Sequence, residues 1–438
     1  RLRLRSAWIL LASYIFYGWW RVDFLALILA STLWSHFLGR RAAAPVTIPA
    51  EEDASESRNP LTASRRRAMI AAVALNLGLL GYFKYFNFGI GSLNSILQSL
   101  GASGLTAWEV VLPVGISFYV FQATSYVVDV YRGDATPADS FWDLAAYIAL
   151  FPQLVAGPIL RYRDVADQFR SRPHSLDHFG SGARRFMIGF AKKVLIADTV
   201  APVVALCFGV ENPTAADAWL GTIAYGVQIF YDFSAYSDMA IGLGAMMGFR
   251  FRENFDRPYL ASSIADFWRR WHISLSSWLR DYLYIPLGGS RLGRRRTYVN
   301  LLTVMVLGGL WHGAAWTFVI WGAWHGLLLV GERFIRESLP GREGSRKLLP
   351  RPLSVGLTML LVFLGWVPFR AESLRNLGRV LAAMMGLGGG PGTAPALGGL
   401  FAVSETIAWQ LPTMGVVATV LGLVLIYLEP PMRHRRGL

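Results

Sequence analysis

Charge is scarce in this 438-residue chain. Asp, Glu, Lys and Arg make up only 16% of it, against about 25% in ordinary soluble domains. Apolar residues, aromatics and cysteine included, fill 54%. A soluble core has no use for so much apolar surface, so the natural solvent is a bilayer. Cysteine is nearly absent: Cys207 stands alone in an apolar run, which excludes a disulfide framework and a cysteine-built metal site. No His-Glu-x-x-His motif occurs, and no Gly-rich loop leads into Lys and Ser or Thr. Zinc and nucleotide hydrolysis therefore find no support. An initiator Met is missing too. Arg-Leu-Arg-Leu-Arg runs directly into apolar sequence, and the interfacial edge Gly18-Trp19-Trp20-Arg21 follows where a secretory signal would place small residues. The expectation is a truncated N-terminus.

What is abundant fits the same solvent. Sixteen tryptophans and seventeen tyrosines suit the headgroup level of a membrane, where amphipathic rings settle. The formal net charge is +14, yet the basic residues form no single patch for nucleic acid. They cluster beside apolar stretches: Arg1, Arg3 and Arg5; Arg65 to Arg67; Arg291 with Arg294 to Arg296; Arg433 with Arg435 and Arg436. Cytoplasmic loops carry this bias, and anionic lipid headgroups attract it.

Apolar stretches near the length needed to cross the hydrocarbon occur at 7–20, 23–39, 68–86, 107–131, 141–160, 185–209, 216–248, 298–312, 314–334, 352–369 and 412–429. Several are short or interrupted, and 216–248 is long enough to conceal a break, so roughly eight to eleven membrane helices are expected. Residues 40–67 read as an exposed cytoplasmic loop, 161–184 as a second polar loop, and 386–411 as a Gly/Pro/Ala-rich connection. The basic clusters place both ends of the first hairpin in the cytoplasm. With no soluble domain or internal repeat evident, the expected organisation is one integral domain over 1–438. Glycines four residues apart (Gly244 and Gly248, Gly309 and Gly313, Gly322 and Gly326) predict close helix packing.

Seven histidines are present. His36 lies near the end of an apolar run, and His174, His178 and His434 lie in polar segments. His272, His312 and His325 share a stretch dense in aromatic and polar residues. His312 ends the apolar run before Gly313. An ionisable group inside a membrane segment is costly and marks function by default. Its neutral imidazole suits activation of a sugar hydroxyl, or alternatively a hydrogen bond across a helix interface. In Ala265–Tyr282, Trp268, Trp271, Leu275, Trp278, Leu279 and Tyr282 recur at three- and four-residue steps. They predict one amphipathic interfacial helix with His272 on its aromatic face, as an anchor or as a functional group. His325 follows His312 by thirteen residues, which puts it far around a continuous helix. Both serve one site only if the helix breaks, and His325 otherwise reads as a packing residue. Asp232 and Asp238 suit a proton relay or hydrogen bonds to neighbouring helices.

Longer strings carry a resemblance. They are Asp232-Phe233-Ser234-Ala235-Tyr236-Ser237-Asp238, Asn254-Phe255-Asp256-Arg257-Pro258-Tyr259, Phe267-Trp268-Arg269-Arg270-Trp271-His272-Ile273-Ser274-Leu275, the run Arg280 to Gly289, and Gly309-Leu310-Trp311-His312-Gly313. Upstream, Phe151 to Ile159 and Lys84 to Phe88 join them. Together they resemble the membrane-bound O-acyltransferase (MBOAT) family over about residues 7 to 370, in particular its bacterial branch that O-acetylates alginate and peptidoglycan. The family's first N-terminal helix has no counterpart here.

The resemblance implies an all-α polytopic membrane protein, with a ring of transmembrane helices around a thin central funnel or tunnel. It aligns His312 with the family's catalytic histidine and His272 with its second polar partner. Trp311, Gly313, Arg280, Asp281, Tyr282, Asp238 and His325 are candidate supporting residues, with no bound cofactor and no metal. It further implies acetyl-CoA as donor substrate from the cytoplasmic side and a polysaccharide as acceptor. A periplasmic acetyl-transferring partner and a bacterial inner-membrane location complete the expectation. His312 would act as general base and His272 would orient or polarise a reacting group, with water kept from the thioester. Two other classes remain: a transporter or flippase, which should show repeats, and a non-catalytic scaffold of an export complex, which would not need His312.

Overall fold

The structure, a computed structural model, describes residues 2–43, 60–338, 349–388 and 402–428. Among these residues the regular structure is helical, with no strand. Four helices are long and apolar enough to cross a membrane: Val22–Ala42, Thr62–Ser99, Trp316–Ser338 and Arg351–Arg370. Large apolar side chains stay exposed along them, among them Ile70, Leu75 and Leu77 on the second and Leu353, Leu357 and Leu360 on the fourth. Outward apolar faces of that extent belong against lipid, and backbone hydrogen bonds closed within a helix allow the crossing. The chain is a multi-pass membrane protein.

Four such helices among the described residues is fewer than hydropathy suggested: Ser6–Gly18 and Thr413–Leu428 are apolar but shorter, and the other stretches are broken or more polar. Of 107–131, only Ile116–Arg132 overlaps as helix; 141–160 divides into Phe141–Ile148 and Phe151–Leu154; 185–209 is interrupted by a π-helical turn at Lys193–Ala197. Conversely, the stretch 216–248 hides no break and lies almost wholly in one helix, Ala215–Met246. Helices also enter the expected loops. Leu25–Ala42 ends and Pro60–Ser99 begins inside 40–67, which puts Arg65 to Arg67 on a helix. The polar stretch 161–184 holds Tyr162–Arg170 and the start of Leu176–Lys192. Tyr162, Val165 and Phe169 are buried at three- and four-residue steps there, a helical stripe that overall polarity conceals.

Some expectations fall outside the described residues. These are residues 44–59 of the first loop, 389–401 of the Gly/Pro/Ala-rich connection, Arg1, His434, and the basic group Arg433, Arg435 and Arg436. The end of the connection carries a short helix, Glu405–Gln410.

The chain packs as two compact units, Arg1–Ala183 with Ala240–Arg252, and Arg184–Met239 with Glu253–Leu438. In the first, Asn76 ties two apolar helices together. Its Oδ1 accepts from Ser31 Oγ and Trp34 Nε1, both at 2.8 Å, and its Nδ2 donates to Ser35 Oγ at 3.1 Å. In a medium without water such amide contacts hold helices together. In the second, Gly293–His312 packs against Trp316–Ser338 at glycines. A Cβ on Gly322 would lie 2.4 Å from the Met305 carbonyl oxygen, and one on Gly309 would lie 2.2 Å from the Phe318 carbonyl oxygen. Gly309 and Gly322 thus mark a true backbone-to-backbone approach, while Gly326 lies against Leu302 and Gly313 against the Phe318 ring. Trp324 Nε1 then donates to the Leu361 carbonyl at 2.9 Å, adding Arg351–Arg370 to the pair.

Candidate functional site

The single helix expected over Ala265–Tyr282 is broken at His272. Ile264–Arg270 begins at Ser263, whose side chain accepts the Asp266 N–H at 3.1 Å. The chain then turns, Ile273–Leu279 starts afresh, and a π-helical turn, Arg280–Tyr284, follows. His272 stands at the break with φ 44 and ψ 53. A left-handed backbone at a residue with a β-carbon costs on the order of 1–3 kcal/mol and persists only where the surroundings impose it. The neighbouring segment imposes it. The Asp256 N–H donates to the Arg270 carbonyl at 2.9 Å, and the Ile273 N–H donates to the Asn254 carbonyl at 3.0 Å. These bonds claim backbone groups on both sides of His272 for a non-helical partner. Periodicity showed the apolar face but not this competitor.

The Asn254 side chain completes the hold. Its Oδ1 accepts from the Ser274 N–H at 3.2 Å, from Ser274 Oγ at 2.9 Å and from His272 Nδ1 at 3.2 Å, while its Nδ2 donates to Ser237 Oγ at 3.0 Å. With the amide oxygen as acceptor, His272 carries its hydrogen on Nδ1. Its Nε2 is buried without a hydrogen-bond partner and keeps a lone pair. His272 lies outside the four candidate spans. Burial, with the neighbouring His312 as a smaller cause, holds its imidazole well below the usual pKa, so the ring is neutral.

His312 arrives from another element as the last residue of Gly293–His312. Its ring centroid lies 6.2 Å from that of His272. Trp311 at 4.9 Å, Trp321 at 5.2 Å and Phe369 at 5.1 Å surround it. His272 meets Phe233 at 4.6 Å and Trp311 at 6.0 Å. The helix stops here because a new one begins at Trp316, and Phe318 on it lies so close that a Cβ on Gly313 would come within 2.1 Å of the ring. His312 is half-buried, whereas His272 and Trp321 are each 1% exposed.

The break between His312 and His325 is therefore real, but it does not make them neighbours in one pair. His325 is fully buried against Trp321 at 5.1 Å, Trp268 at 5.2 Å and Phe267 at 6.2 Å. It reaches His312 through the shared Trp321. Asp238 is a structural ion-pair partner: its Oδ1 accepts from Arg185 at 2.9 Å and its Oδ2 from Lys192 at 3.1 Å, and Arg185 Nη1 also donates to Glu253 at 2.6 Å. Asp238 and Glu253 adjoin Ser237 and Asn254 in sequence, so Arg185 clamps together the two segments that orient His272. Asp232 pairs instead with Lys193 at 3.1 Å. Arg280 and Asp281 pair at 2.7 Å on the π-helical turn, where the Tyr282 ring lies 5.0 Å from Trp278.

Sequence reasoning singled out both close histidines and Trp311 but missed Asn254, Phe233, Trp321 and Phe369 as members of the site. Asn254 and Phe233 lay inside the quoted strings, with nothing local to raise them above their neighbours. Trp321 and Phe369 have no signal short of the fold itself.

A model of MBOAT, the membrane-bound O-acyltransferase family, matches residues 138–340, which include Asn254, His272 and His312. The chain is 52% identical over 389 residues to the probable alginate O-acetylase AlgI of Pseudomonas putida, across 88% of this chain and 76% of that relative. Its identity to the Pseudomonas aeruginosa protein of the same name is 50% over 386 residues, across 88% and 71%. The peptidoglycan O-acetyltransferase of Helicobacter pylori is 34% identical over 415 residues, across 87% and 74%. Likeness on that scale, on a helical membrane fold with paired histidines at a helix end, places this chain in the membrane-bound O-acyltransferase family, as an O-acyltransferase.

Proposed function

We propose that the protein moves an acetyl group from cytoplasmic acetyl-CoA toward a hydroxyl of an extracytoplasmic polysaccharide, alginate-like or peptidoglycan, from a place in the bacterial inner membrane. Donor and acceptor approach from opposite faces through a central funnel, and a periplasmic partner carries the acetyl group onward to the polymer. The names of the relatives support acetyl as the group and a cell-envelope polysaccharide as its destination.

His312 is the general base. It takes the proton of the acceptor hydroxyl as that oxygen attacks the thioester carbonyl. The C–S bond then breaks, and the imidazolium returns the proton to the departing CoA thiolate. His272 orients the acceptor: with Nδ1 committed to Asn254, its Nε2 lone pair can accept a hydrogen bond from a second donor group of the acceptor, leaving the reacting hydroxyl's proton to His312. The aromatic rings around both imidazoles exclude water that would hydrolyse the thioester. The observation that carries the reading is the 6.2 Å approach of two imidazoles from separate elements, one of them fixed in orientation by Asn254.

The test is transfer of label from radiolabelled acetyl-CoA by protein purified into lipid, wild type beside His312→Ala at equal folded amounts. Label should reach protein, partner or polysaccharide only with His312 intact, and the labelled species names the acceptor. A wild type that transfers nothing to any supplied acceptor or partner ends the catalytic reading and leaves transport or a scaffold, and undiminished transfer by His312→Ala shows that His312 is not the base.

A further inference from the structure

The rings around His312 differ in exposure. Trp311, Trp321 and His272 are all buried, at 7% exposure or less. Only His312 and Phe369 in this contact set are half-buried. Phe369 is thus the one ring packed on His312 that is itself partly accessible. The Phe369 ring stands at 71° to the imidazole with centroids 5.1 Å apart, and it is held there by Phe318 and Trp321, each at 5.1 Å. Phe369 is the penultimate residue of Arg351–Arg370, directly after the helix-internal Pro368.

On the reading of His312 as the base, which this inference requires, the reacting carbonyl carbon lies next to the hydroxyl oxygen that His312 deprotonates. The remainder of the acyl group leaves from that carbon and must fit beside the imidazole. Three of the rings against the imidazole are buried, and the fourth, Phe369, is the half-buried one that an added methylene would meet.

We propose that Phe369 sets the size of the transferred acyl group, admitting two carbons and rejecting four. Transfer of a butyryl group would follow the same course, with the ester C–O bond forming, the thioester C–S bond breaking and the hydroxyl proton passing to the CoA thiolate. Phe369 would change only the space for the added methylenes.

The experiment compares acetyl-CoA with butyryl-CoA as donors for the wild type, Phe369→Ala, Phe369→Leu and His312→Ala in lipid. Alginate oligomers and a periplasmic extract serve as acceptors, and acyl ester formation is the readout. One methylene of misfit in an apolar pocket is worth about 10- to 200-fold in selectivity. The butyryl-to-acetyl ratio should therefore rise at least about tenfold in Phe369→Ala, with Phe369→Leu between it and the wild type. A gain of butyryl transfer cannot come from misfolding. If Phe369→Ala is too unstable to assay, the ratio in Phe369→Leu decides. Acetyl transfer that depends on His312 with an unchanged ratio overturns this inference alone. No acetyl transfer by the wild type overturns the reading of His312 and this inference with it.

Discussion

The two histidines of the site are held in opposite ways. His312 closes a regular helix of twenty residues, and its position follows from helix geometry and from the glycines that bring the next helix near. His272 sits in a left-handed break between two seven-residue helices and depends on hydrogen bonds from residues 254–256. One is placed by packing and half-open; the other is placed by a polar network and sealed. On the proposed mechanism the group that meets substrate, His312, sits on a plain helix end and is half-buried. The group that must present one ring nitrogen in one direction needs its other nitrogen fixed, which is the work of Asn254.

That contrast can be broken at several points. The largest effect is expected at His312, where alanine should lower acetyl transfer by about 10²–10⁴-fold, the usual worth of a general base, with little change in thermal unfolding. Asparagine at 272 tolerates the left-handed backbone but cannot offer the imidazole nitrogen. His272→Asn should therefore stay folded and lose transfer by roughly 10²-fold, while a fall in stability of the same size as in His272→Ala would mean that His272 is an anchor. Arg185→Met leaves Asp238 and Glu253 facing each other without their shared cation. Removing one partner of a buried ion pair costs about 3–5 kcal/mol, and the residual exposure of these side chains reduces that to about 2 kcal/mol, read as a lower unfolding temperature in detergent. A comparable effect sharpens the other half of the comparison. Gly322→Ala pushes a methyl group toward the Met305 carbonyl oxygen and should cost about 1–3 kcal/mol, lowering acetyl transfer through His312 without altering the hydrogen bonding of His272.

The helical membrane class was legible in the sequence because it rests on composition and on long ordered strings, and the two histidines those strings singled out lie 6.2 Å apart. What escaped was non-local. The break at His272 is made by backbone partners some eighteen residues away at Asn254 and cannot be found by helical periodicity, which the apolar face of Ala265–Tyr282 obeys on both sides of it. The helix Tyr162–Arg170 was hidden in a polar stretch because only three of its nine residues are buried. Asp238 was open to a proton relay or to hydrogen bonds with neighbouring helices, and its ion pairs match the second. Its partners Arg185 and Lys192 lie about fifty residues upstream, on the helical segment preceding Asp198. Phe369 comes from the last apolar helix of the site, where no motif points to it.

The most direct test of the central claim, that His312 and His272 form one catalytic unit, is a double-variant cycle on the rate of acetyl transfer. Residues that act as a unit are strongly non-additive. The account predicts that His272→Asn combined with His312→Ala is no slower than His312→Ala alone. Losses that multiply, so that the double variant falls by the product of the single effects, would mean that the two imidazoles act independently and would contradict the site described above.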